Sequence, residues 1–326
     1  MTGRGLLGVD VGGTGIKALL VDAAGAWAGR WRRPTPHGDT GGERTAQTVA
    51  ELVSQARSVA TGRGFDVAAV GLVVPGVVEA ARGVCRLAVN LGWKDLPIRQ
   101  MVAKRVGLPV AFGHDVRAGA LAEARTGAAA GLRGLAMFLP VGTGISAAYT
   151  RGGEPFELGP AAGEVGQIVL RRGPGAGLRV EEVASAAGIA RRVGRPNALA
   201  VAEAVRAGDP AAVAAWREAV EVLADVVAWS AATLDPEVIV VGGGLSAAGD
   251  LLFRPLRDAV SERVDGIVVP SLRAAVHGDR AAMVGAILLA GDLVGAGPRG
   301  VGRHGAAEGV GADVPTGGTE DAGEAR

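Results

Sequence analysis

Only one cysteine, Cys85, occurs among the 326 residues, so no intramolecular disulfide can form and a reducing cytoplasm is the expected compartment. A lone thiol of this kind reads as a small core residue rather than a nucleophile. No basic segment with a short apolar core opens the chain, and no apolar run reaches membrane-spanning length, so neither export nor insertion is expected. Net charge is only +1, which gives no electrostatic reason for nucleic acid or an acidic lipid surface to be a partner. Aromatics are scarce at 3%, while glycine is abundant at 54 residues, a composition in keeping with Ala/Gly/Arg codon bias. No single glycine is therefore read as functional on its own. The remaining balance, 48% hydrophobic and 21% charged, is that of a globular protein long enough for two domains sharing a cleft.

The most informative segment is Leu6-Leu7-Gly8-Val9-Asp10-Val11-Gly12-Gly13-Thr14-Gly15-Ile16-Lys17-Ala18-Leu19-Leu20-Val21. An apolar strand, a glycine turn and a second apolar strand make a β-hairpin with a polar tip. Gly12 and Gly13 lack side chains, so their N–H groups can approach an anion closely. Thr14 adds a hydroxyl, Lys17 a positive charge, and Asp10 a carboxylate suited to a divalent cation. Alone, such a segment is most often a plain turn. Dinucleotide-binding and P-loop fingerprints need a helix directly after the glycines, and a β-rich run follows here instead.

Further along, a strand is expected over 26–33, a loop over 34–42, an amphipathic helix over 43–60 and a buried strand over 67–74. A short helix over 96–106, a strand over 108–112 and a helix over 115–124 follow. Strands over 135–139 and 145–149 flank Val141-Gly142-Thr143-Gly144, repeating the strand, Gly-Thr tip, strand design and suggesting duplicated domains. Helices are expected over 181–193 and over 198–233, the latter broken at Gly208-Asp209-Pro210. A strand over 237–241 runs into Gly242-Gly243-Gly244, and a last apolar helix covers 280–293. The stretch 295–326 is Gly-rich, polar and aperiodic, and is expected to be a disordered tail.

In order and spacing, these segments resemble the ROK family of bacterial sugar kinases, which includes glucokinases and N-acetylhexosamine kinases. The matching segments are D-V-G-G-T-G-I-K, V-P-G with N-L-G-W at Asn90 to Trp93, H-D-V-R-A-G-A-L-A-E at His114 to Glu123, V-G-T-G, A-G-E-V-G-Q at Ala162 to Gln167, and V-G-G-G-L-S. The resemblance implies an α/β, actin-like ATPase (ribonuclease H-like) fold with two domains around a central cleft. The domains are expected at 1–113 and 114–279, with the helix over 280–293 returning to the first. It implies phosphorylation of a hexose or hexose-like substrate by ATP and Mg2+, with Asp115 as general base. Seen alone, an Asp at a strand–helix junction is a helix cap.

The resemblance further assigns Gly12, Gly13, Thr14, Lys17, Gly142, Thr143 and Gly144 to the phosphates, and Gly243 and Gly244 to the nucleotide. Asp10 would hold magnesium, through water. Gly76, Asn90, His114, Glu164, Gln167 and Glu181 fall at positions facing the sugar. Family members are commonly dimers or tetramers, so a homodimer or homotetramer is implied. Some members are repressors with an added N-terminal winged helix; with the first strand beginning by Leu6, that domain is not expected here. A sugar-binding protein without catalysis is the other alternative.

The sequence departs from the family pattern at three places. His114 stands where members usually carry Asn before the base, Gln167 stands where they carry His, and the Cys-rich zinc loop is missing, so structural zinc is not expected. Changes at two sugar-facing positions point away from plain glucose, toward an amino sugar such as kanosamine or a cyclitol. Glycine after Thr14 is also found in polyphosphate-using glucokinases, while the triple glycine favours ATP.

Overall fold

The computed structural model describes residues 3–156, 158–159 and 161–295. β1 (Gly3–Val11), β2 (Gly15–Val21) and β3 (Trp27–Pro34) form an antiparallel meander. α1 (Glu43–Gly62) then crosses to β4 (Phe65–Val74), which pairs parallel with β1. A small antiparallel sheet of β5 (Val77–Glu79), β6 (Val84–Ala88) and β7 (Trp93–Leu96) follows, then α2 (Ile98–Val106) and β8 (Val110–His114), parallel to β4. α3 (Asp115–Thr126) leads out of this sheet.

The second sheet is built from β9 (Leu135–Pro140), β10 (Ala148–Arg151) and β11 (Glu154–Pro155). The helices α4 (Val180–Ala184), α5 (Ala186–Arg192), α6 (Ala198–Arg206) and α7 (Pro210–Leu234) come next. β12 (Val238–Gly242), α8 (Gly243–Ser246), α9 (Asp250–Ser261), β13 (Ser271–Ala274) and α10 (Ala281–Leu293) complete the described chain. Strand orders are β3-β2-β1-β4-β8 and β11-β10-β9-β12-β13. In both, three antiparallel strands are continued by two parallel ones, so the second sheet repeats the topology of the first.

Each sheet has its own core, one around Leu7, Val9, Leu52 and Leu72, the other around Met137, Leu139, Ile239 and Leu252. α3 and α10 pack on each other between the sheets. Met283, Val284 and Ile287 of α10 cluster with Leu6, Leu19 and Ala69 of the first sheet, while Ala120 and Ala281 cluster with Phe138 and Val240 of the second. α10 is apolar on all sides because all of its sides are covered. Among the described residues no helix is long and apolar enough to cross a membrane.

Several elements differ from the sequence reading. The helix expected over 181–193 is two helices, because the Ser185 hydroxyl accepts the Gly188 N–H at 2.9 Å and starts α5 afresh. The break at 208–210 occurs as expected: Asp209 caps α7 by accepting the Ala212 N–H at 3.0 Å, with Pro210 in the first turn. The strand expected over 145–149 starts only at Ala148, since Ile145 closes an isolated bridge with Val141. The small sheet β5–β7, α9 and β13 were not foreseen. The tail expected over 295–326 lies, beyond Gly295, outside the described residues.

Candidate active site

The first tip is a tight turn closed by the Gly12 N–H donating to Gly15 O at 3.0 Å, with Thr14 exposed at its apex. The Thr35 hydroxyl donates to Gly12 O at 2.6 Å and pins the loop to the segment after β3. A Cβ on Gly13 would come within 3.0 Å of the Asn90 Nδ2, so the phosphate tip and the N-L-G-W segment lie side by side. That segment is held by Trp93, whose Nε1 donates to the Asp39 carbonyl at 2.8 Å, while the Asp39 carboxylate accepts the Thr45 N–H at 2.7 Å at the start of α1.

Gly76 has φ 91°, and a Cβ there would collide with the Leu87 carbonyl. The glycine is thus required for β6 to pass. Cys85 is buried, and burial pushes its thiol up to about 11, out of reach of nucleophilic chemistry at neutral pH.

Asp10 is a half-buried residue one position before the end of β1, in register with Lys17. Burial, and then the Asp115 charge, push its carboxyl up to about 7 against the pull of Lys17. A magnesium ion there would offset the repulsion between the two carboxyls, so the pair fits that ion. Among the described residues no three His, Cys, Asp or Glu side chains converge to hold a metal ion. A magnesium here would therefore be held through water and the nucleotide's own phosphates, the coordination that this ion favours. The zinc position fits poorly: Gln167 offers an amide, and the loop from Arg171 to Arg179 contains no cysteine.

Asp115 is the first residue of α3, directly after β8. Burial pushes its carboxyl up to about 6; the Val116 N–H bound to its Oδ1 at 2.7 Å opposes this, and the Glu164 charge adds to it. His114 lies beside it, with Nε2 3.4 Å from Asp115 Oδ1. Burial, and then Arg117, push the ring down to about 4, so it is neutral at pH 7. Its Nδ1 is buried without a hydrogen-bond partner among the described residues.

The second tip mirrors the first: Gly142 N–H donates to Gly144 O at 3.0 Å, and Thr143 is exposed at the apex. Gly243, with φ 75°, lets the start of α8 lie against Val141, and the Leu245 N–H donates to Val141 O at 3.2 Å. Around Gly244 a Cβ would meet only Ala186, at 3.9 Å, leaving that surface open. The Gly163 carbonyl accepts the Ala147 N–H at 2.7 Å just ahead of β10, which sets Glu164 and Gln167 next to the second hairpin. Glu181 sits at the same place: a Cβ on Gly144 would come within 2.8 Å of its Oε2.

The structure thus brings Asn90 to the first tip, Glu181 to the second, and Glu164, His114, Asp115 and Asp10 into one electrostatically coupled group. Sequence reasoning missed Arg117 and Arg179. Arg117, one helical turn after His114, had a readable signal in that spacing. Arg179 donates to Gln167 Oε1 at 2.9 Å and lies 3.2 Å from Glu181 Oε1, a junction across the 168–179 loop that no local pattern announces.

The chain matches the family model described as ROK family over residues 6–292. It is 31% identical over 316 residues to the glucokinase of Halalkalibacterium halodurans, covering 87% of this chain and 94% of that protein. The ROK hexokinase structure from Thermus thermophilus superposes with a TM-score of 0.73 at 31% identity, covering 90% of this chain and 100% of the other. A ROK family glucokinase from Streptomyces griseus, solved with glucose and AMPPNP, gives a TM-score of 0.73 at 28% identity, covering 88% and 99%. Because the match runs without a break from β1 to α10, through both hairpins and the helix pair between the sheets, the chain belongs to the ROK family and has its actin-like ATPase fold.

Proposed function

We propose that this chain is an ATP-dependent sugar kinase, transferring the γ-phosphoryl group to the 6-hydroxyl of a hexose or hexose-like substrate. The observation that carries the reading is Asp115, a half-buried carboxyl at the start of α3, pushed up to about 6 and lying between the phosphate-tip acid Asp10 and the sugar-side acid Glu164. Glucokinase relatives near 30% identity support the same activity. When bound, magnesium–ATP supplies the transferable phosphoryl group and part of the charge neutralisation.

The chain supplies positioning. Asp115 takes the proton of the attacking hydroxyl as its oxygen bonds to phosphorus and the bond from phosphorus to the ADP oxygen breaks. The tips Gly12-Gly13-Thr14 and Gly142-Thr143-Gly144 would face the phosphates, offering the Thr14 and Thr143 hydroxyls and the N–H groups not spent on closing the turns; Lys17 would add charge, and Asp10 would hold magnesium through water. Gly243 and Gly244 form the nucleotide side. Asn90, Glu164, Gln167, Glu181 and His114 face the sugar, and Gly76 shapes the strand end behind them.

Since Asp115 must be ionised to act, turnover at saturating magnesium is expected to fall as pH drops through about 6. His114, already neutral, adds no limb there. Glu164→Gln removes a like charge and is expected to move the acid limb to lower pH, which a kcat–pH profile reads directly.

His114 and Gln167 favour a substrate other than glucose. His114 Nδ1 is buried without a hydrogen-bond partner among the described residues, and a substrate hydroxyl or ammonium brought within reach of it would satisfy that nitrogen. Gln167 is engaged by Arg179. Phosphotransfer from Mg–ATP across glucose, mannose, N-acetylhexosamines, kanosamine and valiolone-type cyclitols tests both levels. An amino sugar or cyclitol is expected to be the best acceptor, and His114→Asn with Gln167→His is expected to shift preference toward glucose. Glucose preferred by the unaltered protein would remove the substrate reading. No turnover with any acceptor, using ATP or polyphosphate, would leave a sugar-binding protein instead of a kinase.

A further inference from the structure

Lys17 and Asp10 stand directly opposite each other on β2 and β1. Opposite charges so placed ordinarily pair across the strands. Among the described residues no ion pair joins them. The Lys17 ammonium reaches instead to the turn before α10, where Nζ lies 3.4 Å from the Asp279 carbonyl oxygen and 3.8 Å from its Oδ2. The contact joins residues 262 apart in sequence.

That turn is fixed on two sides. Glu123, fully buried in α3, accepts the His277 N–H at 2.7 Å, the Val276 N–H at 3.1 Å and the Ala128 N–H at 2.8 Å. His277 Nε2 lies 2.9 Å from the Thr126 hydroxyl, again on α3. On the other side the Arg280 guanidinium lies over the Trp27 ring, 5.1 Å from its centroid, at the start of β3. Asp279 therefore rides on a turn clamped both to the helix that begins with Asp115 and to the sheet that carries Asp10.

We propose that Asp279 is a positioning residue that draws the Lys17 ammonium away from Asp10, leaving the Asp10 carboxylate without an ion pair and open to the water shell of a divalent cation, and the ammonium extended toward phosphate. The inference rests on the reading of this chain as a metal-nucleotide kinase. Without Asp279, Lys17 would fold back onto its cross-strand partner, and an internal ion pair would compete with the cation for the same carboxylate. Glu123 serves the same end indirectly, by holding the turn.

The test is equilibrium binding of Mn2+ and AMPPNP, read as free Mn2+ by electron paramagnetic resonance, with sugar kinetics alongside. The proteins are the unaltered chain, Asp279→Asn, Lys17→Met and the double variant. Asp279 is 69% exposed at its side chain, so the substitution leaves the core untouched. Asp279→Asn is expected to weaken Mn2+–AMPPNP binding about tenfold. The sugar KM should not change. Added to Lys17→Met, the same substitution is expected to weaken binding no further, because the competing ammonium is already gone. Unchanged binding in Asp279→Asn would overturn the inference. So would an equal loss with and without Lys17, which would place Asp279 on the cation itself. Failure of the unaltered chain to bind Mn2+–AMPPNP would overturn the kinase reading and this inference with it, whereas tight binding with a silent Asp279→Asn sinks the inference alone.

Discussion

Asp115→Asn is expected to lower kcat by about 10²–10⁴-fold while leaving the fold intact. The amide is the same size and keeps an oxygen for the Val116 N–H that now binds Oδ1 at 2.7 Å, so α3 should start unchanged. It cannot accept a proton from a hydroxyl at neutral pH. The substitution also removes the charge that burial and Glu164 disfavour, and the one that pushes up Asp10.

Stability should therefore move in the opposite direction from activity. A carboxyl raised to about 6 in the folded chain, against 3.8 in its ordinary state, costs nothing at pH below about 4. The cost grows as pH rises through the window to 6 and is complete above it. At pH 7 the asparagine variant is expected to be more stable, by on the order of 2 kcal/mol. Unfolding midpoints at pH 7 and pH 4 check this: the gain should be present at the first and lost at the second. Near-normal turnover in the variant would remove Asp115 from the base role.

The second large effect is expected at a residue far from any reacting group. Gly71→Ala should destabilise the protein by about 3 kcal/mol or more, because a single methyl there would collide with the Ala286 carbonyl of α10. Neither partner is a flexible side chain: β4 backbone meets α10 backbone, and Gly8 meets the Met283 carbonyl in the same way one strand over. On the opposite face of α10, Gly285 lies against Ala118 of α3. Three glycines thus let one helix sit flat on a sheet and against a second helix, and dense interiors give little room to absorb an extra atom.

Gly62→Ala is the matching control. Gly62 ends α1, a Cβ there meets nothing within 4 Å, and the substitution is expected to be neutral or to stabilise by roughly 0.5–1 kcal/mol. Urea or thermal unfolding of the two variants side by side separates close approach from glycine content. Because α10 begins beside the turn that carries Asp279, Gly71→Ala should also disturb nucleotide binding in whatever fraction folds.

Glycine also marks where reading a sequence succeeds and where it stops. At Gly12, Gly13, Gly142 and Gly144 the surrounding apolar strands announced hairpin tips, and the tips are there. Gly76 and Gly243 were read as facing the sugar and the nucleotide, and in the structure each also makes room for protein backbone, Leu87 in one case and Val141 in the other. Both readings need a residue without a side chain, so the sequence could not distinguish them. The small sheet β5–β7 escaped notice because its strands are short and only half-covered, which blurs the alternation that betrays a strand. β13 is equally short and mostly exposed.

By itself the sequence determined the two Gly-Thr hairpins, the strand–helix junction bearing Asp115, the Asp209-Pro210 start of α7 and the order of motifs that places the chain in its family. These are local matters: turn geometry, capping and the period of apolar residues act over a few neighbouring positions. Only the tertiary structure decided that Asp10 feels Asp115, that Asp115 feels Glu164, that Gln167 answers to Arg179 and that Lys17 turns to Asp279 rather than to its cross-strand partner. Charge acts through space, and how strongly it acts depends on the burial that packing of distant segments creates.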